Sequence, residues 1–244
     1  MKAKVIMIAS GKGGTGKSTV SVLLGGCLGE YQKKVLLIEL DSGFRSVDII
    51  SGVYGKTIYD VQDVLCGRCE GSKAVVESPV YPGLSVISAP YEGGAVKPEP
   101  LKRLIELMRP YFDYILLDTA AGMGEPFTAA AAVSDCALLV ITPDPVTLRD
   151  GGIICQRLRQ AGLAEIRLVI NRLNLATFRK GPVRDLDECI DTVGAQLIAV
   201  LPESAALQKA AAAGEALPPN ELFLKTAHNL AARVMGKMIP LAIR

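Results

Sequence analysis

One ten-residue stretch limits this 244-residue chain more than any other: Ser10-Gly11-Lys12-Gly13-Gly14-Thr15-Gly16-Lys17-Ser18-Thr19. Gly11 to Ser18 fits G-x-x-x-x-G-K-[ST], a loop that cradles phosphate. The residue types follow from that task. Glycines at 11, 13, 14 and 16 let the backbone take positive φ and turn its N–H groups inward onto phosphate oxygens. Lys17 is placed to reach the β- and γ-phosphates, and the Ser18 hydroxyl to bind Mg²⁺. The context agrees: Lys4 to Ala9 is a short apolar run readable as a buried strand, and Val20, Leu23, Leu24, Cys27 and Leu28 recur at helical spacing. A helix starting just after the loop turns the positive end of its dipole toward the same anion.

The length suits one α/β domain, residues 1–244, with no linker composition to divide it. Half of the residues are hydrophobic, and 27 basic against 25 acidic residues give a net charge of +2, which makes no case for nucleic-acid binding. Cys27, Cys136 and Cys155 fall in apolar periodic segments and read as core residues. The apolar stretch at 128–142 is broken by Ser134 and Asp135, so no transmembrane span is expected, and a reducing, cytoplasmic setting follows.

Strands and helices alternate along the chain, which predicts a mostly parallel β-sheet with helices on both faces. Lys34 to Asp41 reads as a strand ending in acids, followed by a loop at 42–48, and Phe112 to Asp118 as a second strand ending in a carboxylate. Acids at the C-terminal ends of parallel strands face the crevice where such sheets bind ligands. Asp118 stands where a Walker B aspartate holds a water on Mg²⁺. Further strands are expected at Cys136 to Thr142, Ile166 to Ile170 and Ala195 to Leu201. Asn171, at the end of the second of these, can read an adenine edge. The sequence Asn171-Arg172-Leu173-Asn174 lacks the acid of the guanine-reading Asn-Lys-x-Asp pattern, so ATP is favoured over GTP.

Lys12, directly after the first glycine, is more than the general motif asks for. The loop containing it resembles the deviant Walker A loop of the MinD/ParA ATPases, and Asp41 to Asp48 resembles the first switch of the MinD-like members. Asp118-Thr119-Ala120-Ala121-Gly122 resembles the second switch, and Pro202-Glu203 the second adenine-flanking loop. The resemblance covers nearly the whole chain and implies a P-loop NTPase fold. It also implies an ATP- and Mg²⁺-dependent ATPase that dimerises with ATP, answers to a protein activator and works in spatial regulation such as division-site placement. On that match Lys12 crosses the dimer interface to the partner's nucleotide and Asp41 orients the attacking water. Asn171, Arg172, Pro202 and Glu203 flank the base, and the loop residues Gly11 to Thr19, Thr15 included, hold the phosphates. Glu39 stands where the family has an aspartate with a contact to the Mg²⁺ shell.

Residues 52–97 are the least regular. A short helix at Tyr59 to Leu65, a strand at Gly83 to Ile87 and a loop from Pro90 to Pro100 are expected there. Cys66-Gly67-Arg68-Cys69 lacks the second pair that zinc would want and reads as two ordinary thiols. The last helix is expected over Glu221 to Met238, with Met238 closing its apolar stripe. The hexapeptide Ile239 to Arg244 is too short for a stable interfacial helix, so membrane contact is expected to be weak or absent, at most peripheral at the inner face of the cell membrane. Two other readings stay open: an ATP-dependent biosynthetic ligase of the same fold, like dethiobiotin synthase, and an iron–sulfur carrier using Cys66 and Cys69.

Overall fold

A computed structural model describes residues 2–43, 45–219 and 221–241. The elements follow in the order β1 (Lys4–Ala9), α1 (Lys17–Glu30), β2 (Val35–Glu39), α2 (Ser46–Ile50), α3 (Val61–Leu65), α4 (Gly71–Ala74), β3 (Val76–Glu77), β4 (Leu84–Ile87) and α5 (Pro98–Met108). Then come β5 (Tyr114–Asp118), α6 (Glu125–Val133), β6 (Cys136–Ile141), α7 (Pro145–Gln160), β7 (Ile166–Leu173), α8 (Leu175–Phe178), α9 (Leu186–Val193), β8 (Gln196–Pro202), α10 (Ala205–Ala213) and α11 (Leu222–Val234).

Eight strands form one sheet in the order β3-β4-β2-β5-β1-β6-β7-β8, parallel throughout except for β3, which pairs antiparallel with β4. Every residue of β2 and β6 is buried. Such unbroken apolar runs are what a sheet covered on both faces requires, since neither side of the pleat meets water. Val5, Met7, Leu36, Ile38, Ile115 and Leu117 pack on one face with apolar residues of α5, α6, α7 and α9. Ile6, Ile8, Leu37 and Leu116 pack on the other with residues of α1, α2, α10 and α11. The strand order reverses around β1, which lies between β5 and β6. That reversal opens a crevice at the C-terminal strand ends, where the acids of β2 and β5 emerge side by side: Glu39 is in register with Asp118.

Some expectations change. The segment read as a loop at 42–48 starts a helix, α2, at Ser46, because Arg45 takes a left-handed backbone conformation (φ 47°) that turns the chain into it. The Pro90 to Pro100 loop ends early, with α5 beginning at Pro98, a residue suited to a first helical turn. β3 and α4 are too short to leave a periodic signature. The last helix ends at Val234 rather than Met238, and Met238 is 99% exposed, outside the apolar stripe it was expected to close. Gly236, at φ 86°, breaks the helical path before it. Of the hexapeptide Ile239 to Arg244, residues 242–244 lie outside the described residues. Among the described residues no helix is long and apolar enough to cross a membrane.

Candidate nucleotide-binding site

Between β1 and α1 the chain makes a tight loop whose turns sit at Gly14 (φ 83°) and Gly16 (φ 84°). Gly16 is fixed twice over: besides its left-handed φ, a Cβ there would lie 2.4 Å from the Asn171 Nδ2. α1 has no side-chain cap at its N-terminus. α2, α4, α5, α6 and α11 likewise lack one, whereas α7 is capped by Asp144 accepting from the Thr147 N–H (3.1 Å) and α10 by Ser204 accepting from the Leu207 N–H (3.0 Å). What sets α1 apart is the glycine loop before it. The amides opening α1 are therefore left for an anion.

Lys17 is only 6% exposed, and its Nζ lies 3.0 Å from Oδ1 of the fully buried Asp118. The Ser21 hydroxyl, one turn along α1, donates to the same oxygen at 2.9 Å. Asp118 Oδ2 and Thr15 Oγ1 are buried with no hydrogen-bond partner among the described residues. Two orphaned oxygens beneath a phosphate-type loop are what a hydrated cation and a phosphate would satisfy. The second switch is tied to this loop and to β1: Gly122 N–H donates to Ser10 O (3.0 Å) and the Thr119 hydroxyl to Ile8 O (3.1 Å).

Above these groups lies an open cleft of about 540 Å³, lined among others by Lys12, Lys17, Ser18, Asp41, Ala121 and Arg172. Lys12 is exposed on the loop's outer side. Asp41 is half-buried, and burial raises its carboxyl above the ordinary range, with Lys17 opposing and Asp118 adding to the rise. A second pocket adjoins through Gly16, Thr19 and Arg172, and is lined further by Asn171, Pro202, Ser204, Leu207, Gln208 and Phe223. Asn171 is 3% exposed; its Nδ2 donates to Thr15 O at 2.8 Å, and its Oδ1 has no partner. Because a carbonyl fixes which end of the amide is nitrogen, the atom left over is an acceptor. Arg172 has a left-handed backbone (φ 56°) within an irregularity of the β7–β8 pairing.

Two of the expected site residues are engaged by other protein groups. Glu203 accepts from the Asn174 side chain (3.2 Å) and does not line this second pocket. Glu39, beside Asp118, is buried and does not line the cleft; its Oε1 accepts from the Val47 N–H (3.2 Å) and its Oε2 from the Ala89 N–H (3.4 Å). Burial, reinforced by the charge of Asp118, pushes the Glu39 carboxyl up to about 8 against the pull of those two amides. The folded state thus holds this proton more tightly than the unfolded chain. Stability should be greatest below pH 4.5 as far as this group is concerned, and should fall as pH rises toward about 8. Urea unfolding of magnesium-free protein on either side of that window should show the decline, at most about 1.4 kcal/mol per pH unit for one proton. Glu39→Gln should flatten it.

Ser21, Leu207, Gln208 and Phe223 were not found from sequence. Ser21 carries a faint signal, a hydroxyl four residues after Lys17 in an otherwise apolar helix pattern. The pocket residues of α10 and α11 carry none, because only the fold brings these helices beside the loop. Cys66 is exposed and Cys69 half-exposed, and no group of three or more metal-ligating side chains occurs among the described residues.

Residues 6–217 match the model of the CobQ/CobB/MinD/ParA nucleotide binding domain. The chain is 31% identical to the septum site-determining protein MinD of Bacillus subtilis, over 98% of this chain and 92% of that protein. It superimposes on MinD in the MinC:MinD cell division protein complex of Aquifex aeolicus with a TM-score of 0.91, at 31% identity over 98% of this chain and 99% of that one. It matches MinD of Pyrococcus horikoshii, solved with Mg-ADP, with a TM-score of 0.84 at 26% identity, over 95% of this chain and 96% of that one. By this family match, the identity to MinD over nearly its whole length and the shared architecture, the chain belongs to the CobQ/CobB/MinD/ParA family of nucleotide-binding proteins and has the P-loop fold.

Proposed function

We propose that this chain is a MinD-like ATPase, a switch that dimerises on binding ATP, hydrolyses it to ADP and phosphate, and serves division-site placement. The observation that carries the reading is the buried Lys17–Asp118–Ser21 group under an uncapped helix start, with Lys12 exposed on the outer side of the same loop. The donor set suits Mg²⁺: the Ser18 hydroxyl and, through water, Asp118 would hold it, and the ion would neutralise charge building on the phosphates.

The chain's own residues divide the remaining work. On binding, Lys17 exchanges the Asp118 carboxylate for the β- and γ-phosphate oxygens, so phosphate charge replaces protein charge at one ammonium. Ser21 still holds Oδ1 of Asp118, and Oδ2, which has no partner, is the oxygen left to orient water. In the second pocket the Asn171 acceptor matches the 6-amino group of adenine and opposes the 6-oxo group of guanine, so the same atom attracts one base and repels the other. Asp41, in the cleft and beside Asp118, orients the attacking water, and Lys12 reaches the nucleotide of a second copy. The single domain spans residues 1–244. A protein partner reads the ATP-bound dimer, in keeping with the MinC complex of the Aquifex relative.

The test is size-exclusion chromatography with ATP, with ADP and without nucleotide, beside a phosphate-release assay. Dimers with ATP alone and turnover that rises steeply with protein concentration are expected. Asp41→Ala should bind ATP, dimerise and stall there, with hydrolysis lost by about a hundredfold or more if water orientation is its task. Turnover in a monomer, independent of protein concentration, would instead favour a ligase-type enzyme.

A further inference from the structure

The loop leaving β4, which sequence reading left as irregular, is bound at several points to the segment that carries Asp41. Gly43 N–H donates to Pro90 O at 3.1 Å. The Ser88 hydroxyl hydrogen-bonds the buried Asp48 carboxylate. Glu39 bridges the Val47 and Ala89 amides, one from each segment. Arg45, 5% exposed and left-handed at φ 47°, donates its Nε to Asp48 Oδ2 at 2.7 Å and hydrogen-bonds the Thr57 hydroxyl. Its guanidinium carbon lies 4.1 Å from the centroid of the Tyr91 ring. Tyr91 is itself 58% exposed, so this aromatic face is the outward cover of an otherwise buried cation.

A left-handed arginine is a conformation that persists only where surroundings over-determine it. Here an ion pair holds the guanidinium from inside and the Tyr91 ring holds it from outside. We infer that Tyr91 is a positioning residue for ATP hydrolysis, acting through Arg45 to fix the loop on which Asp41 presents its carboxylate to water. The inference rests on the assignment of Asp41 as the water-orienting acid. Tyr91 touches no nucleotide in this scheme; it limits how far the Asp41 loop departs from its reactive geometry.

Two measurements test it, on Tyr91→Ala, Tyr91→Leu and Tyr91→Phe in the full chain. In steady-state hydrolysis at saturating protein, the Ala and Leu variants should lose roughly two- to fivefold in kcat with KM for ATP unchanged, the size of a largely exposed cation–aromatic contact. Phe, which keeps the ring face, should restore the wild-type rate. Thermal midpoints should fall by no more than about 2–4 °C with Ala and Leu and stay at the wild-type value with Phe, because the side chain is largely exposed. In nucleotide-free protein, hydrogen exchange at the Gly43 and Val47 amides should quicken with Ala and Leu and not with Phe. Wild-type kcat in the Leu variant, a loss confined to KM, failure of Phe to rescue, or unchanged exchange would overturn the inference. A wild-type chain that hydrolyses no ATP would sink the functional reading instead, and the exchange data would still decide whether Tyr91 holds the loop.

Discussion

Lys12→Ala is expected to bind ATP as a monomer, fail to dimerise with it, and lose hydrolysis by about 10³-fold or more. Lys12 is exposed and lines the cleft's outer side, with Ser10 donating to its carbonyl and no ion pair of its own among the described residues. Removing it costs the fold nothing, so thermal stability should stay at the wild-type value. Its ammonium is near enough to Asp144 to help lower that carboxyl, the hydrogen bonds from Thr142 and Thr147 being the larger causes. Against the nucleotide of a second copy, the same charge serves as a cation supplied in trans, a role worth about 10³–10⁵ in rate in nucleotidases generally. Size-exclusion chromatography with ATP, read beside phosphate release, checks it. Normal dimers, or turnover within a few-fold of wild type, would remove Lys12 from the mechanism and with it the face-to-face arrangement.

Lys17→Ala should fail earlier and differently, losing ATP binding and weakening the nucleotide-free fold. In that fold its ammonium neutralises a carboxylate with no solvent exposure, at 3.0 Å. Deleting one member of a buried pair leaves the other uncompensated, at a cost of about 3–5 kcal/mol. Affinity for ATP should drop by about a hundredfold from the lost charged hydrogen bonds alone. Adding Asp118→Asn to the alanine variant separates the two effects. Stability should return, since no buried charge remains, and ATP binding should not. Chemical denaturation and titration with a fluorescent ATP analogue measure the two quantities independently. If the single variant unfolds at the wild-type denaturant midpoint, the Lys17–Asp118 contact contributes nothing to the resting fold.

Much of the phosphate end of the site is legible in the linear sequence because its chemistry is local. Gly14, Gly16, Lys17 and Ser18 act through backbone conformation and neighbouring side chains within one turn, and spacing alone encodes that. Asp118 could be placed because an apolar strand ending in a carboxylate tells where the carboxylate emerges. Asn171 is a middle case. Its place after an apolar run points to the base, although β7 continues past it to Leu173; that its amide nitrogen is taken by Thr15 O, leaving an acceptor, is a contact across 156 positions of chain.

What the sequence by itself determined is the set of groups whose geometry a few consecutive residues impose: the glycine loop, the buried strands, the acids at their ends and the helix that follows the loop. Only the tertiary structure decided the rest. It gave the Glu39 oxygens to the Val47 and Ala89 amides, drew Glu203 to Asn174, and released Met238 from the helix after Gly236. It also brought Leu207, Gln208 and Phe223 to the pocket beside Asn171, and set Tyr91 over Arg45. Each of these depends on which segments the sheet order makes neighbours. A carboxylate one methylene longer than aspartate goes to whichever unpaired amide lies within reach, and that amide is supplied by packing rather than by adjacency in sequence.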